Sequence, residues 1–219
     1  LKEYHADFIE VSEKTVYNFV LYVRKKHKLL MAFAAREYQQ VPELPYGKQA
    51  QIDFGEYNMT DSDKQRKKVY FFSLVLARCR YKYVFFSEHH FTAATAVVAH
   101  EQAFKFIGGY PGEVVYDQDR LLITDENKGN LMLTDTFRSY HSDRPFQLHF
   151  CRKRDPESKG KIENVIKYIK YNFLRGRIYV DIHVLNGQAI EWLERTANAK
   201  EHAKTHFVPA NEWMIEKND

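Results

Sequence analysis

The chain has 219 residues, 44% of them apolar and 15% aromatic, with 33 Lys and Arg against 29 Asp and Glu. That supplies enough apolar side chain for a sizeable core and excludes a disordered polar chain. No apolar run approaches the ~20 residues that a membrane helix needs, and no signal-peptide pattern opens the chain, so a cytoplasmic location is expected. Leu1 in place of Met reads as a start inside a longer chain. Cys79 and Cys151 lie far apart and form no metal-type pair, which suits unbridged thiols in a reducing compartment. The charge is uneven. Cys151 to Arg177 holds nine Lys and Arg against Asp155, Glu157 and Glu163, a surplus of six in a chain whose net charge is +4. A second basic cluster runs through Lys64, Arg66, Lys67 and Lys68 to Arg78, Arg80 and Lys82. Such clusters are commonly solvated faces, but they also suit a polyanionic partner.

Residues 1–40 read as helical. In "VSEKTVYNFVLYVRKKH", Ser12 is placed as an N-cap, Val16, Phe19, Val20 and Val23 make an apolar stripe, and Arg24, Lys25 and Lys26 close the helix. This segment suits either an ordinary amphipathic helix or the tail of a helix-turn-helix unit with a recognition helix from about Glu13. Pro42, Pro45 and Gly47 mark a linker over 41–48. A strand follows at 49–56, then a polar stretch, then "KVYFFSLVLARC" and "KYVFFSEH" as two further strands of an antiparallel meander. "TAATAVVAHEQAFKFIGG" reads as a helix capped near Thr92 and stopped by Gly108 and Gly109. "GEVVYD" is a short buried strand, "LTDTFRSYHS" a helix and "FQLHFC" a fifth strand. A long helix is expected from about Glu157 to Phe173, and another from about Leu185 to His202. The order βββαβαβα implies an α/β fold: a mixed five-stranded sheet flanked by helices, with three antiparallel strands and two reached by helical crossovers.

Three acids sit next to this sheet. Asp53 lies within the first strand, where a carboxylate is out of place unless it finds water, a partner or a metal. Asp117 follows the apolar run Val114, Val115, Tyr116, beyond the carboxyl end of the fourth strand, where open α/β sheets gather ligands. On the long helix, Val165, Ile166, Ile169 and Phe173 lie within about 60° of Ile162, and Glu163 borders that stripe beside Lys159, Lys167 and Lys170. Each acid also has an ordinary reading: a solvent-facing strand residue, a turn residue and an i,i+4 partner of Lys167.

Together, "QAQIDFGEY", "GGYPGEVVYDQD" and "DPESKGKIENVIKYIK" resemble the ribonuclease-H-like catalytic core of DDE transposases and retroviral integrases. They are most similar to IstA-type insertion-sequence transposases. The resemblance extends to "VSEKTVYNFV" and so covers nearly the whole chain. It implies a helix-turn-helix tail at 1–40, a linker at 41–48, a catalytic core at 49–180 and a helical extension at 181–219. It also implies that a complete N-terminal DNA-binding region and a C-terminal β-domain lie outside this chain. Gln118 stands where many relatives have Asn, and Asp119 offers a rival to Asp117.

By the same resemblance, Asp53, Asp117 and Glu163 would be the catalytic and metal-binding residues. They would hold two Mg²⁺ (or Mn²⁺) ions, with Asp53 bridging them. Lys159 and Lys161 would contact the DNA backbone near the scissile phosphate, and Lys167, Lys170, Arg24, Lys25 and Lys26 would add to DNA binding. The implied activity is 3′-end cleavage and strand transfer of transposon DNA. The implied partners are transposon-end and target DNA, further copies of the chain and an IstB-type ATPase, in the bacterial cytoplasm and associated with the nucleoid. A non-catalytic binding module and a structure-specific nuclease share the fold and are the competing readings. Rival chemistry is thinner: His202 and His206 at i,i+4 lack "HExxH", and no "GxSxG" is present.

Overall fold

The computed structural model describes residues 12–29, 43–117, 121–127, 130–151 and 160–218. The chain divides into two compact units, residues 1–40 and 41–219. Within the first, α1 (Glu13–Lys26) starts at Ser12, whose side chain accepts from the Thr15 amide, and carries Arg24, Lys25 and Lys26 in its last turn. Cations there suit the negative end of the helix dipole. The helix-turn-helix expectation rests partly on residues before Ser12, which lie outside the described residues.

In the second unit, β1 (Gln49–Asp61), β2 (Arg66–Leu76) and β3 (Lys82–Ser87) form the expected antiparallel meander. After α2 (Ala93–Ile107), β4 (Glu113–Tyr116) joins β1 in parallel. A hairpin of β5 (Ile123–Asn127) and β6 (Asn130–Leu133) precedes α3 (Asp135–Ser142), and β7 (Gln147–Phe150) then joins β4 in parallel. The sheet order is β3-β2-β1-β4-β7. A sixth strand, β8 (Ile178–Tyr179), pairs with the far end of β1 at Thr60 and Asp61. The five expected strands are present in the expected order. The hairpin and β8 are additions, one a separate two-stranded ribbon and the other only two residues long.

Helix α2 starts and stops where its caps dictate. Thr92 and Thr95 form a reciprocal capping box, and Gly108 takes a left-handed φ of 84°, which a side chain would disfavour. The long helix departs from the 3.6-residue pattern: α4 (Gly160–Tyr168) continues as a π-helical turn over Ile169–Leu174. The extra residue lets Phe173 and Leu174 both enter the core beside Ile162, Val165 and Ile169. Helix α5 (Ile182–Trp192) likewise ends in a π turn, Leu193–Ala197, rather than running to His202. It stops because the Asn198 side chain accepts from the Lys82 amide and donates to the Lys82 carbonyl, holding the chain to β3. Finally, α6 (Pro209–Glu216) folds back over the start of β1.

The sheet is covered on both faces. On one, Phe54 and Phe72 pack with Phe91 and His100 of the α2 layer. On the other, Phe71 and Phe86 meet Phe173 of the π turn. Central strands so enclosed read as near-continuous apolar runs, as β2 does from Val69 to Leu76, where Ser73 is the polar exception. Cys79 and Cys151 are both buried thiols.

Candidate active site

Gln51, Asp53 and Gly55 share the face of β1 over which α4 lies. Gln51 is buried, and its side-chain oxygen accepts the Ile162 amide at 3.0 Å, one of the N-terminal helix donors that lack an intrahelical partner. This bond fixes the first turn of α4, and with it Glu163, against the strand that carries Asp53. Asp53 itself is half-buried. Its Oδ1 accepts the Phe54 amide at 2.9 Å, and its carbonyl accepts the Ser73 hydroxyl at 3.2 Å across the β1–β2 pair. The carboxylate that a strand disfavours is held at the rim of the helix layer and stays partly exposed.

The parallel β1–β4 register aligns Gln49 with Glu113, Ala50 with Val114 and Gln51 with Val115. Carried on by two residues, it sets Asp53 level with Asp117, just past the end of β4. Asp117 is exposed there. Tyr116, which precedes it, is fixed from below. His100 donates from Nδ1 to the Ala96 carbonyl (2.6 Å), which leaves Nε2 to accept the Tyr116 hydroxyl (2.9 Å). Burial pushes the His100 pKa down to about 4 and the Tyr116 phenol well up, so the pair stays neutral.

Glu163 is exposed in the first turn of α4, with Lys167 exposed one turn on and Lys170 half-buried beyond it. Lys161 lies elsewhere. It precedes Ile162 as Glu163 follows it, so the two leave opposite flanks of the buried stripe, about 200° apart. The Lys161 ammonium instead sits 3.8 Å from the Glu43 carboxylate. Lys159 and Asp119 lie outside the described residues, as does Glu157. Arg24, Lys25 and Lys26 belong to the other unit, at the end of α1.

The donors are three carboxylates without thiolate or imidazole, the hard oxygen set that suits Mg²⁺ or Mn²⁺. Among the described residues, no three His, Cys, Asp or Glu side chains converge closely enough to grip an ion. The site brings its elements together and leaves the side chains apart. His202 and His206 do not share a helix face, because the segment after α5 is a turn, with His206 at φ 59°. Among the described residues, no helix is long and apolar enough to cross a membrane.

No family model matches the chain. Among curated proteins, it is 49% identical over 99% of its length to the transposase of an IS21-like insertion sequence element from Bacteroides fragilis, covering 42% of that protein. It is 28% identical over 84% of its length to a putative transposase of insertion sequence element IS5376 from Geobacillus stearothermophilus, covering 46% of that one. Among solved structures, the magnesium complex of the HTLV-2 integrase catalytic core domain matches 80% of this chain and 99% of its own, with a TM-score of 0.55 at 14% identity. The chain spans about half the length of the curated relatives it matches, from 41% to 56%. The chain is thus similar to the transposase of an IS21-like insertion sequence element and has the ribonuclease-H-like fold of a retroviral integrase core.

Proposed function

We propose that this chain is the catalytic segment of a DNA transposase that cleaves transposon 3′ ends and joins them to target DNA by metal-dependent phosphoryl transfer. The observation that carries this reading is the parallel β1–β4 register, which, carried on by two residues, brings Asp117 just past the end of β4 level with Asp53, with the Glu163 helix tied to β1 through Gln51. The name of the Bacteroides fragilis relative supports it, as does the magnesium in the HTLV-2 core.

Asp53, Asp117 and Glu163 are the groups that would hold two divalent ions. Such ions, when bound, activate an attacking oxygen and neutralise charge on the leaving one. Asp53 has the most fixed position, since its backbone is paired with Ser73 of β2 and its Oδ1 is engaged by an amide. Glu163 is exposed on a helical turn anchored by buried Ile162 and the Gln51 bond, and its side chain would swing towards the two aspartates as DNA enters. Lys167 and Lys170, on the Glu163 flank, and Lys159 upstream would set the DNA backbone in line without reading its sequence. Arg24, Lys25 and Lys26 would add phosphate contacts from α1. In this reading residues 1–40 are the tail of a helix-turn-helix region, 41–48 a linker, 49–180 the catalytic core and 181–219 its extension. Transposon-end and target DNA, further copies of the chain and an IstB-type ATPase are the partners, in the bacterial cytoplasm.

The test uses the full-length protein. Glu163→Gln keeps shape and helix propensity but loses an anionic oxygen. It should bind transposon-end DNA as the wild type does and lose at least about 100-fold in Mg²⁺-dependent cleavage and strand transfer, the scale of removing a major electrostatic contributor. Wild-type turnover in that variant would remove Glu163 from the site. Nicks without joined products from the wild type would favour the structure-specific nuclease.

A further inference from the structure

A second basic cluster lies across α4 from Glu163. Arg80, in the β2–β3 turn, is only 4% exposed and takes a left-handed φ of 63°. A non-glycine side chain there tolerates some backbone strain. Its guanidinium meets the Glu43 carboxylate at 2.5 Å, and the second Glu43 oxygen faces Lys161 at 3.8 Å. His202, from the turn after α5, lies within electrostatic reach of Glu43, Lys204 of the same turn lies within reach of Lys161 and His202, and buried Lys82 adds a further positive charge beside His202. Burial and the surrounding cations push the His202 pKa down to about 4, and burial pushes Lys82 down to about 8. The Glu43 carboxylate thus bridges two fixed cations, Arg80 and Lys161, from a segment that only leads into the sheet, with the neutral His202 ring beside them. A carboxylate spanning a guanidinium and an ammonium occupies the place that a phosphate would take.

We propose that Arg80, Lys161, His202 and Lys204 form a pocket for a phosphate of the nucleic-acid backbone, and that Glu43 holds its place until the nucleic acid arrives. The pocket deepens the reading of the chain as a DNA-processing core and rests on it for the identity of the ligand. It also gives Lys161 a role on the flank where the structure puts it, on the helical turn that carries Glu163. Entry of the phosphate releases the segment around Glu43.

The test is duplex-DNA binding by the 219-residue chain, read by fluorescence anisotropy across a salt series. The variants are Glu43→Gln, Glu43→Gln combined with Lys161→Gln and Lys204→Gln, and Glu56→Gln as a control. Emptying the pocket should tighten binding roughly three- to ten-fold at ~0.1 M salt and steepen the slope of log K against log salt by about one phosphate's worth. The triple variant should lose that gain. Glu56→Gln removes an exposed partner of Lys68 and should change affinity less than about two-fold. In a parallel arm, inorganic phosphate should raise the melting temperature of Glu43→Gln and leave the triple variant unmoved. If phosphate does this while no variant binds DNA, the anion pocket is supported and its nucleic-acid ligand is overturned. An unchanged affinity, salt slope and phosphate response in Glu43→Gln overturns the proposal, as does a gain no larger than that of Glu56→Gln.

Discussion

At the scale of single residues, the sequence reads some positions well and others poorly. Asp53 stands out because a charge is costly in a strand, and the register sets it level with Asp117. Gln51 carries no such signal, since a glutamine two residues away passes for a solvent-facing neighbour, yet it is the group that holds the α4 turn. Glu43 and Arg80 are equally silent, because their partnership spans 37 residues. Gly55 has a steric role: a Cβ there would lie 2.3 Å from the Phe71 ring, and Phe71 is fully buried against Phe86. Gly55→Ala should therefore destabilise the fold by about 1–3 kcal/mol in urea denaturation, the usual cost of overpacking. An unchanged midpoint would mean that the ring can move aside. His100 gives a pH dependence with a definite sign. Its folded pKa is depressed, so between pH 6.5 and about 4 the unfolded chain takes up a proton that the folded chain refuses. Stability is fully present above 6.5 and falls on acidification, by about 2 kcal/mol between pH 6.5 and 5. His202 acts in the same direction but more weakly, being half-exposed. His100→Gln should flatten this slope in denaturation curves at the two pH values; a slope equal to the wild type's would place the proton elsewhere.

Elements were legible where local chemistry governs them. Ser12, Thr92 and Gly108 cap their helices as their residue types require, and the three-strand meander follows from its short connections. The π turns were not legible, because the stripe from Ile162 to Phe173 fits an ordinary helix and only tertiary packing draws in Leu174. The β5–β6 hairpin has a local signal in the turn composition of Asn-Lys-Gly-Asn at 127–130, but the polar Thr124-Asp125-Glu126 before it hides the strand. Helix α6 shows how a late element secures an early one. The Glu216 carboxylate accepts the amides of Gly47 at 3.0 Å and Cys79 at 3.1 Å, while Trp213 donates to the Ile107 carbonyl and stacks on Tyr81. Glu216→Ala strands two amides, one of them buried, and should cost about 2–4 kcal/mol. Glu216→Gln keeps one acceptor and should cost clearly less. Equal losses would show that charge rather than hydrogen bonding is responsible.

For the whole molecule, net charge identifies little and charge placement identifies more. Among the described basic residues of α4 and its π turn, Lys167 and Lys170 lie on the Glu163 flank and Lys161 on the other, facing Arg80 and Glu43. Composition could not reveal that division, because it depends on which face of the helix the sheet buries. The central claim is that Asp53 belongs to a divalent-metal site, and metal-dependent stability of this chain tests it without DNA or partners. If Kd is ~1 mM, ~10 mM Mn²⁺ should stabilise the wild type by about 1.4 kcal/mol, raising its melting temperature by roughly 3–6 °C over the value in EDTA. Asp53→Asn should lose most of that rise while its melting temperature in EDTA stays close to the wild type's. An identical Mn²⁺ response in mutant and wild type would contradict the account and leave Asp53 an ordinary residue at the edge of the sheet.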